Sequence, residues 1–359
     1  MVSRRCTALV PLALVLLGGC SSPLGAVAPG MPRAGCVALA APREARHGTW
    51  SEVAPTTAPR YFLAATTGCD GRIYVLGGLG PPNGDPGGVA NTALVEAFDP
   101  AAHGWTVIAP MPTPRDDLAA ATGPDGRIFA IGGETGGQMA PTTVVEAYSP
   151  RQRTWSAVAP LPVALDSPRA TTGTDGHIYV LGTEPGAGGG PATEVYDPAA
   201  NTWTNAPPMP SQRWRFVVVT APDGRVVVAG GYDTSSNSGP VATVEAYSPT
   251  TGRWTSLAAM PTPLGQSAGA VAADGRLYML GGDSSWNESQ VNTVEVYDFA
   301  TDRWTGGVAP MPIGRNCHAA ALGPDGRIYV VGGDDGYREQ NGTAFAWDAN
   351  ERRVDVLTP

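Results

Sequence analysis

Apolar runs recur along the chain, each directly after an Asp-Gly pair. The six segments are DGRIYVLGG from Asp70, DGRIFAIGG from Asp125, DGHIYVLGT from Asp175, DGRVVVAGG from Asp223, DGRLYMLGG from Asp274 and DGRIYVVGG from Asp325. Successive copies are 48 to 55 residues apart. Asp-Gly is a strong hairpin-turn signal, and a short continuous apolar run is typical of a strand buried on both faces. The pattern predicts six copies of one β-hairpin.

A second strand-like run and a Trp follow each hairpin. The runs are VEAFDP, VEAYSP, TEVYDP, VEAYSP, VEVYDF and AFAWDA, and the tryptophans of the first five units are Trp105, Trp155, Trp203, Trp254 and Trp304. With the run that precedes each Asp-Gly turn, every unit carries four strand signals. Four short antiparallel strands in regular repetition are typical of a β-propeller. The sequence therefore predicts an all-β, six-bladed propeller over residues 47–359.

The repeated residues resemble those of kelch repeats: the double Gly, the aromatic residue of the second run, the Trp, and a Met-Pro-x-x-Arg turn such as Met111–Arg115. The resemblance extends from about Trp50 to Pro359 and implies a kelch-type propeller. We expect these residues to be structural. In particular, we expect the turn arginines to pair with glutamates of the second strand-like runs. The turn positions are occupied by Arg60, Arg115, Leu165, Arg213, Leu264 and Arg315. The glutamates are Glu96, Glu146, Glu194, Glu245 and Glu295.

The last repeat lacks its own outer Trp. Val354 stands in the aligned place, whereas Thr49–Val53, with Trp50, carries the missing signature at the start of the domain. An open propeller would leave exposed strand edges. We therefore expect the N-terminal strand to complete the last blade, with Arg353–Leu357 as the alternative for the same position.

The N-terminus has the features of a secretory signal: Arg4 and Arg5, then the apolar run Ala8–Leu17. This run is shorter than the roughly 20 residues that a membrane-spanning helix needs. It ends in Leu-Gly-Gly-Cys20, which resembles a bacterial lipobox. We expect residues 1–19 to be a signal peptide and residues 20–46, rich in Ala, Pro and Gly, to be a flexible tether with a lipid on Cys20. The alternative is an ordinary signal peptide with a chance Cys.

This pattern predicts an exported bacterial lipoprotein, at the cell surface or in the periplasm, that contacts the membrane only through its lipid. The net charge is −9, and all 23 basic residues are Arg. The acidic balance argues against nucleic-acid binding, and the absence of Lys excludes Schiff-base catalysis. We expect no bond between Cys69 and Cys317, because they should lie at opposite ends of inner strands. Pairing of Cys36 with Cys69 is left open.

The kelch resemblance implies that ligands bind at one face, the mouth, between two sets of loops. Two positions after the turn arginine, the residue differs in every unit, which favours a site: Phe62, Asp117, Ser167, Arg215, Gln266 and Cys317. The residue after the double Gly is rich in carboxylates: Leu79, Glu134, Glu184, Tyr232, Asp283 and Asp334. The candidate binding residues are Tyr61, Asp117, Glu134, Glu184, Trp214, Arg215, Tyr232, Gln266, Asp283, His318 and Asp334. Carboxylates with aromatic rings suit sugars; solvated acidic loops around an empty funnel are the alternative.

Two functions follow from this residue supply. The first is a binding or scaffold module for a protein or a carbohydrate, with no cofactor and no metal. The second is a carbohydrate-acting enzyme of the periplasmic sugar mutarotase or epimerase type, in which Arg215 would act with Asp117, Glu134 or Glu184. Acids that converge on one point with Arg215 would favour the enzyme, and scattered charges would favour binding. A copper radical oxidase is disfavoured, because only His318 of the four histidines is expected near the mouth.

Overall fold

The computed structural model describes residues 48–81, 88–136, 140–186, 189–233, 239–285, 290–335 and 350–359. Within these residues the secondary structure is β-strand, apart from one 3-10 turn at Asn350–Arg352. Six four-stranded antiparallel sheets form the blades. No described helix is long and apolar enough to cross a membrane.

Each blade runs from an innermost first strand to an outermost fourth strand. Blade 1 contains Ala64–Thr67, Ile73–Leu76, Val95–Asp99 and Gly104–Val107; blade 2 contains Ala119–Thr122, Ile128–Ile131, Val145–Ser149 and Thr154–Ala157. Blade 3 contains Asp166–Thr172, Ile178–Thr183, Pro191–Asp197 and Thr202–Asn205; blade 4 contains Val217–Thr220, Val226–Ala229, Val244–Ser248 and Arg253–Ser256. Blade 5 contains Ala268–Val271, Leu277–Leu280, Val294–Asp298 and Arg303–Thr305; blade 6 contains Ala319–Leu322, Ile328–Val331, Val354–Thr358 and Thr49–Val53. Three two-stranded pairs lie in the loops: Leu79–Gly80 with Ala90–Asn91, Glu134–Thr135 with Ala140–Pro141, and Arg213–Trp214 with Tyr232–Asp233.

The inner strands of neighbouring blades contact one another in a closed ring. The second strands are buried on both faces, as their continuous apolar runs predict: Ile73–Leu76 is no more than 2% exposed. The six-bladed, four-stranded architecture is therefore confirmed. Two faces result: the Asp-Gly turns lie at one end of the inner strands, which we call the turn face, and the loops that lead into the inner strands lie at the other, the mouth face.

Blade 6 joins the two ends of the domain, as expected for Thr49–Val53. This strand pairs antiparallel with Val354–Thr358, with Trp50 opposite Leu357. The C-terminal segment is not an alternative for the outer position, because Val354–Thr358 forms the third strand, against Ile328–Val331. The assignment of AFAWDA to that third position was wrong; those residues lie outside the described ranges.

In the third strand of blade 6, Asp355 replaces the Glu of the other units. Asp355 lies opposite Val330, as Glu96 lies opposite Val75 in blade 1. Its carboxylate pairs with Arg315 just as Glu96 pairs with Arg60. The shorter acid in VDVLT hides the repeat from the sequence pattern.

The turn arginines and strand glutamates do form buried pairs in blades 1, 2 and 4. Arg115, for example, donates to the carbonyl oxygens of Gly132 and Val144 at 2.8 Å and to Glu146 at 2.7 Å. These residues are structural, as predicted. In blades 3 and 5 the turn residue is Leu, and Glu194 and Glu295 each retain a buried Oε2 without a hydrogen-bond partner among the described residues.

The outer tryptophans connect each blade to the one before it. Their Nε1 groups donate to main-chain carbonyls at 2.7–2.9 Å: Trp105 to Ala54, Trp155 to Ala109, Trp203 to Ala159, Trp254 to Pro207, Trp304 to Ala258 and Trp50 to Ala309. Trp50 thus completes a circle of six equivalent hydrogen bonds. This arrangement explains why the outer strand of every blade carries a Trp.

Candidate functional site

A ring of six residues with left-handed backbone surrounds the axis at the mouth. They are Phe62, Asp117, Ser167, Arg215, Gln266 and Cys317, with φ between 46° and 53°. Non-glycine residues seldom adopt this conformation. Main-chain hydrogen bonds join them: Asp117 N donates to Phe62 O at 2.9 Å, Phe62 N to Cys317 O at 2.9 Å, and Cys317 N to Gln266 O at 3.2 Å. The six blades thereby bring six different side chains to one opening.

This opening leads into a cavity of about 120 Å³ on the axis. The ring residues Phe62, Asp117, Arg215, Gln266 and Cys317 line it. Its deeper walls are mainly the small and apolar residues of the inner strands, including Ala64, Ala119, Ala170, Val217, Ala268 and Ala319. The cavity is therefore a small space inside the ring of inner strands, below a charged rim.

Asp117 is the centre of the charged part of this rim. It is 3% exposed and accepts hydrogen bonds from Ser167 Oγ at 2.7 Å and Arg169 Nη1 at 2.9 Å. Arg215 Nε lies 3.6 Å from its Oδ2. Burial alone would raise the pKa of Asp117, but the two guanidinium groups and the Ser167 hydroxyl outweigh it and hold that pKa below its usual range. Asp117 is therefore an ionised carboxylate between two cations.

Arg215 is fixed in place by two aromatic rings. Its guanidinium carbon lies 4.4 Å from the ring centres of both Phe62 and Trp214. Cation–π contacts of this kind are stronger where water is excluded. The buried Nε has no hydrogen-bond partner among the described residues. The guanidinium is thus held in one place at the rim of the cavity, and its Nε–H group does not donate a hydrogen bond to any described residue.

Further carboxyl groups surround the Asp117–Arg215 pair. Asp116 and Glu134 exchange main-chain hydrogen bonds at 3.2 and 2.8 Å. Burial and the charge of Asp117 raise the pKa values of both Asp116 and Glu134 to about 7, and they also raise the pKa of Asp166. Acids therefore do converge on Arg215, and two of them titrate near neutrality.

A second polar network lies on the opposite side of the ring, around the fully buried carboxylate of Asp283. It accepts from Tyr232 Oη at 2.7 Å, Gln266 Nε2 at 2.7 Å and Asn316 Nδ2 at 2.8 Å. Gln266 Oε1 in turn accepts from the Cys317 thiol. Burial raises the pKa of that thiol well above its ordinary value, so Cys317 is a neutral donor. The network fixes the side chain of Gln266 at the rim.

His318 lines the cavity directly after Cys317. Burial and the nearby charge of Arg315 lower its pKa to about 3, so the imidazole is neutral at pH 7. Its Nε2 lies 3.1 Å from Leu280 O. Cys317 is a free thiol, whereas Cys69 is disulfide-bonded. The expectation that Cys69 and Cys317 are not bonded to each other is confirmed.

The candidate residues occupy three kinds of position. Asp117, Arg215, Gln266 and His318 line the cavity; Trp214, Tyr232, Asp283 and Glu134 support those side chains or lie next to them. Tyr61 packs its ring against Phe62, and Asp334 is buried and pairs through its main chain with Asn316. Glu184 is exposed and does not line the cavity.

Blade 3 differs because Thr183 takes the place of the second glycine. The residue that precedes the ring, Asp166, pairs there with Thr183, whereas its counterpart Asp116 in blade 2 pairs with Glu134. This shift of one residue places Glu184 beyond the site. The sequence-based candidates also lack Asp116, Asp166 and Asn316. All three directly precede a ring residue, and this position in the repeat could have identified them as site residues from the sequence.

The sequence comparisons agree with this architecture. A model of the KLHDC2/KLHL20/DRC7 Kelch-repeats domain matches residues 169–353, more than half of the chain, and a Kelch motif model matches residues 118–162. "Kelch-like protein terF" of Aspergillus terreus (strain NIH 2624 / FGSC A1156) is 32% identical over 329 residues, which are 88% of this chain and 60% of that protein. "Beta-scruin" of Limulus polyphemus is 41% identical over 80 residues, 22% of this chain and 8% of that protein. The chain thus spans less than two thirds of these relatives.

A solved structure entitled "Structure of YjhT" is similar in fold. It superposes with a TM-score of 0.64 at 15% identity and covers 85% of this chain and 99% of the other. That likeness concerns the fold alone. Together with the family-model matches and the six closed blades, it supports one conclusion: the chain belongs to the kelch-repeat family of β-propellers.

Proposed function

We propose that the protein is an exported, lipid-anchored binding module whose mouth face recognises a partner protein. The observation that carries the proposal is the rigid charged rim formed by Asp117, Arg169 and Arg215 around a narrow axial cavity. Asp117 and Arg215 come from the ring positions that differ in every blade, and Arg169 lies two residues after the ring residue Ser167. The signal-like N-terminus and Cys20 support the export and the lipid anchor.

The size of the cavity favours a protein over an enclosed small molecule. Pockets that enclose small molecules usually measure about 300–1,000 Å³, whereas this cavity measures about 120 Å³. A protein partner needs only to insert one side chain and to cover the surrounding rim. A carbohydrate chain that lies across the rim on Trp214 is a further ligand class that this surface accommodates.

Preorganisation of the rim also suits binding. Phe62 and Trp214 hold the Arg215 guanidinium in one place, and Asp283 holds Gln266. Donors that are already ordered lose little conformational entropy when a ligand arrives. Charged groups at such a rim contribute chiefly to the specificity and the rate of association.

The test is a binding screen of the purified protein against peptide and glycan arrays, followed by titration of each hit. R215Q removes the stacked charge at the mouth; R225Q, which breaks an exposed Arg225–Asp223 pair at the turn face, is the matched control. We expect R215Q to abolish binding and R225Q to retain it. Equal binding by both variants, or no ligand of either class, would refute the proposal.

The converging carboxyl groups favour one second candidate, a sugar mutarotase or epimerase. A pKa near the working pH suits both a general acid and a general base, and the pKa values of Asp116 and Glu134 are both about 7. NMR measurement of anomeric interconversion tests this alternative. Acceleration by the wild-type protein that is lost in E134Q would support the enzyme, and unchanged rates would eliminate it.

A further inference from the structure

The chain enters the propeller at the turn face. In blade 6, Thr49 lies opposite Thr358. The residue before Thr358, Leu357, lies opposite Ile328, which follows the Asp325-Gly326 turn. Thr49 is therefore at the turn-face end of the blade. At its other end, Val53 lies opposite Val354, beside the mouth end of the sheet. The strand therefore runs from the turn face to the mouth face. Whatever precedes Gly48 is attached on the side opposite the site.

The disulfide at Cys69 lies on the same face. Cys69 immediately precedes the Asp70-Gly71 turn of blade 1, and a Cβ at Gly71 would lie 3.5 Å from Pro324 of the neighbouring blade 6 turn. Cys69 is disulfide-bonded and Cys317 is free. The three remaining cysteines, Cys6, Cys20 and Cys36, all precede the propeller. Within one chain, the partner of Cys69 is therefore an N-terminal residue.

We infer that the turn face is held towards the membrane and that the mouth points away from it, with a Cys36–Cys69 bond as the clamp. The inference rests on the proposed export and lipid anchor, because that processing removes Cys6 and uses the sulfur of Cys20 for the lipid. Cys36 is then the remaining partner. The ligand of the mouth is accordingly a protein that arrives from the surrounding solution or from an opposing surface, not a component of the membrane that holds the anchor.

The experiment uses the full chain, expressed in bacteria and reconstituted in phosphatidylcholine vesicles that carry an acceptor dye on the headgroup. A donor dye is coupled to azidophenylalanine introduced at Ala102, exposed at the turn face, or at Glu184, exposed at the mouth face. We expect more efficient energy transfer from position 102, and a smaller difference between the two positions in C69A, in which only the entry of the chain at the turn face remains. Peptide mapping without reduction is expected to link Cys36 to Cys69.

The outcomes separate the inference from the function on which it rests. Equal or greater transfer from position 184 in a lipidated chain overturns the orientation while leaving the anchor intact. A Cys69 peptide linked to a second copy of itself overturns the clamp. Mass spectrometry of the N-terminal peptide decides the anchor, and a chain without lipid on Cys20 overturns both the anchor and the orientation.

Discussion

The indole Nε1 of Trp50 donates a 2.9 Å hydrogen bond to the carbonyl of Ala309. The two residues are separated by almost the whole propeller in sequence, yet they are neighbours where blade 6 meets blade 5. The same bond joins Trp254 to Pro207 within the array, also at 2.9 Å. Closure of the ring thus uses the same contact as every other blade interface.

We predict that W50F lowers the free energy of unfolding by about 1 kcal/mol, because an aromatic ring is kept while one hydrogen bond is lost. W254F, which loses the equivalent bond away from the closure, is the control and is expected to cost a similar amount. Urea denaturation followed by circular dichroism measures both. An unaltered midpoint for W50F beside a lowered one for W254F would show that the closure bond does not form.

Two homologous glutamates are expected to respond in opposite directions. Glu146 is paired with Arg115, so E146Q leaves a buried guanidinium without its counter-ion and should cost about 3 kcal/mol. Blade 3, which contains Glu194, has Leu165 in place of the turn Arg, and the Oε2 of Glu194 has no hydrogen-bond partner among the described residues. Burial and then the charge of Glu184 raise its pKa. E194Q should therefore stabilise the protein at pH 7, by about 1 kcal/mol.

Denaturant titrations of the two variants side by side test this contrast. Destabilisation of similar size in both would mean that Glu194 has acquired another partner, contrary to the structure. A gain for E194Q that disappears at pH 4 would identify the buried charge as the cause, because the wild-type carboxyl is then neutral in the folded and in much of the unfolded chain.

The repeat explains why the fold was predictable. Each Asp-Gly turn, apolar run and outer Trp has a local pattern, and six copies reinforce one another, so even the displaced Trp50 identified its blade. The third strand of blade 6 was not predictable in this way, since Asp355 fulfils the role of Glu96 with a different side chain. Pairing with Arg315 became visible only in three dimensions.

The site was predictable in position but not in detail. Variation at Asp117, Arg215 and Gln266 correctly indicated side chains around the axis, because the scaffold does not dictate them. The left-handed backbone at these positions has no sequence signal, since none of them is Gly. Burial of Asp116 and exposure of Glu184 depend on strand register, which Thr183 alters in blade 3. The register between the loop strands cannot be read from the residue type at a single position of the repeat.

Stability is predicted to depend on pH through Asp116 and Glu134. Their ordinary pKa values are 3.8 and 4.5, whereas in the folded chain both are about 7. Between about pH 4 and pH 7 the folded chain therefore holds more protons than the unfolded chain, and this contribution to stability decreases as the pH rises. D116N/E134Q removes it.

The measurement is the difference in free energy of unfolding between the wild type and D116N/E134Q from pH 4 to pH 8. We expect the wild type to lose stability relative to the variant up to about pH 7. D223N, at the turn face, is the control and should keep the wild-type slope. A difference that is constant over this range, or that changes in the opposite direction, would contradict the raised pKa values.

A double-mutant cycle can isolate the interaction between Asp117 and Arg169 at the rim of the mouth. D117N leaves Arg169 and Arg215 without their shared counter-ion and should lower the free energy of unfolding by about 3 kcal/mol. R169Q removes one of those cations, so the double variant should lose less than the sum of the single variants, with a coupling of about 1–2 kcal/mol. The Asp223–Arg225 pair is the control: its atoms are 2.8 Å apart, but it is more exposed, and its coupling should stay below about 1 kcal/mol. Equal coupling in the two pairs would mean that burial at the mouth does not strengthen the interaction, and Asp117 would then lose its central place in the proposed binding rim.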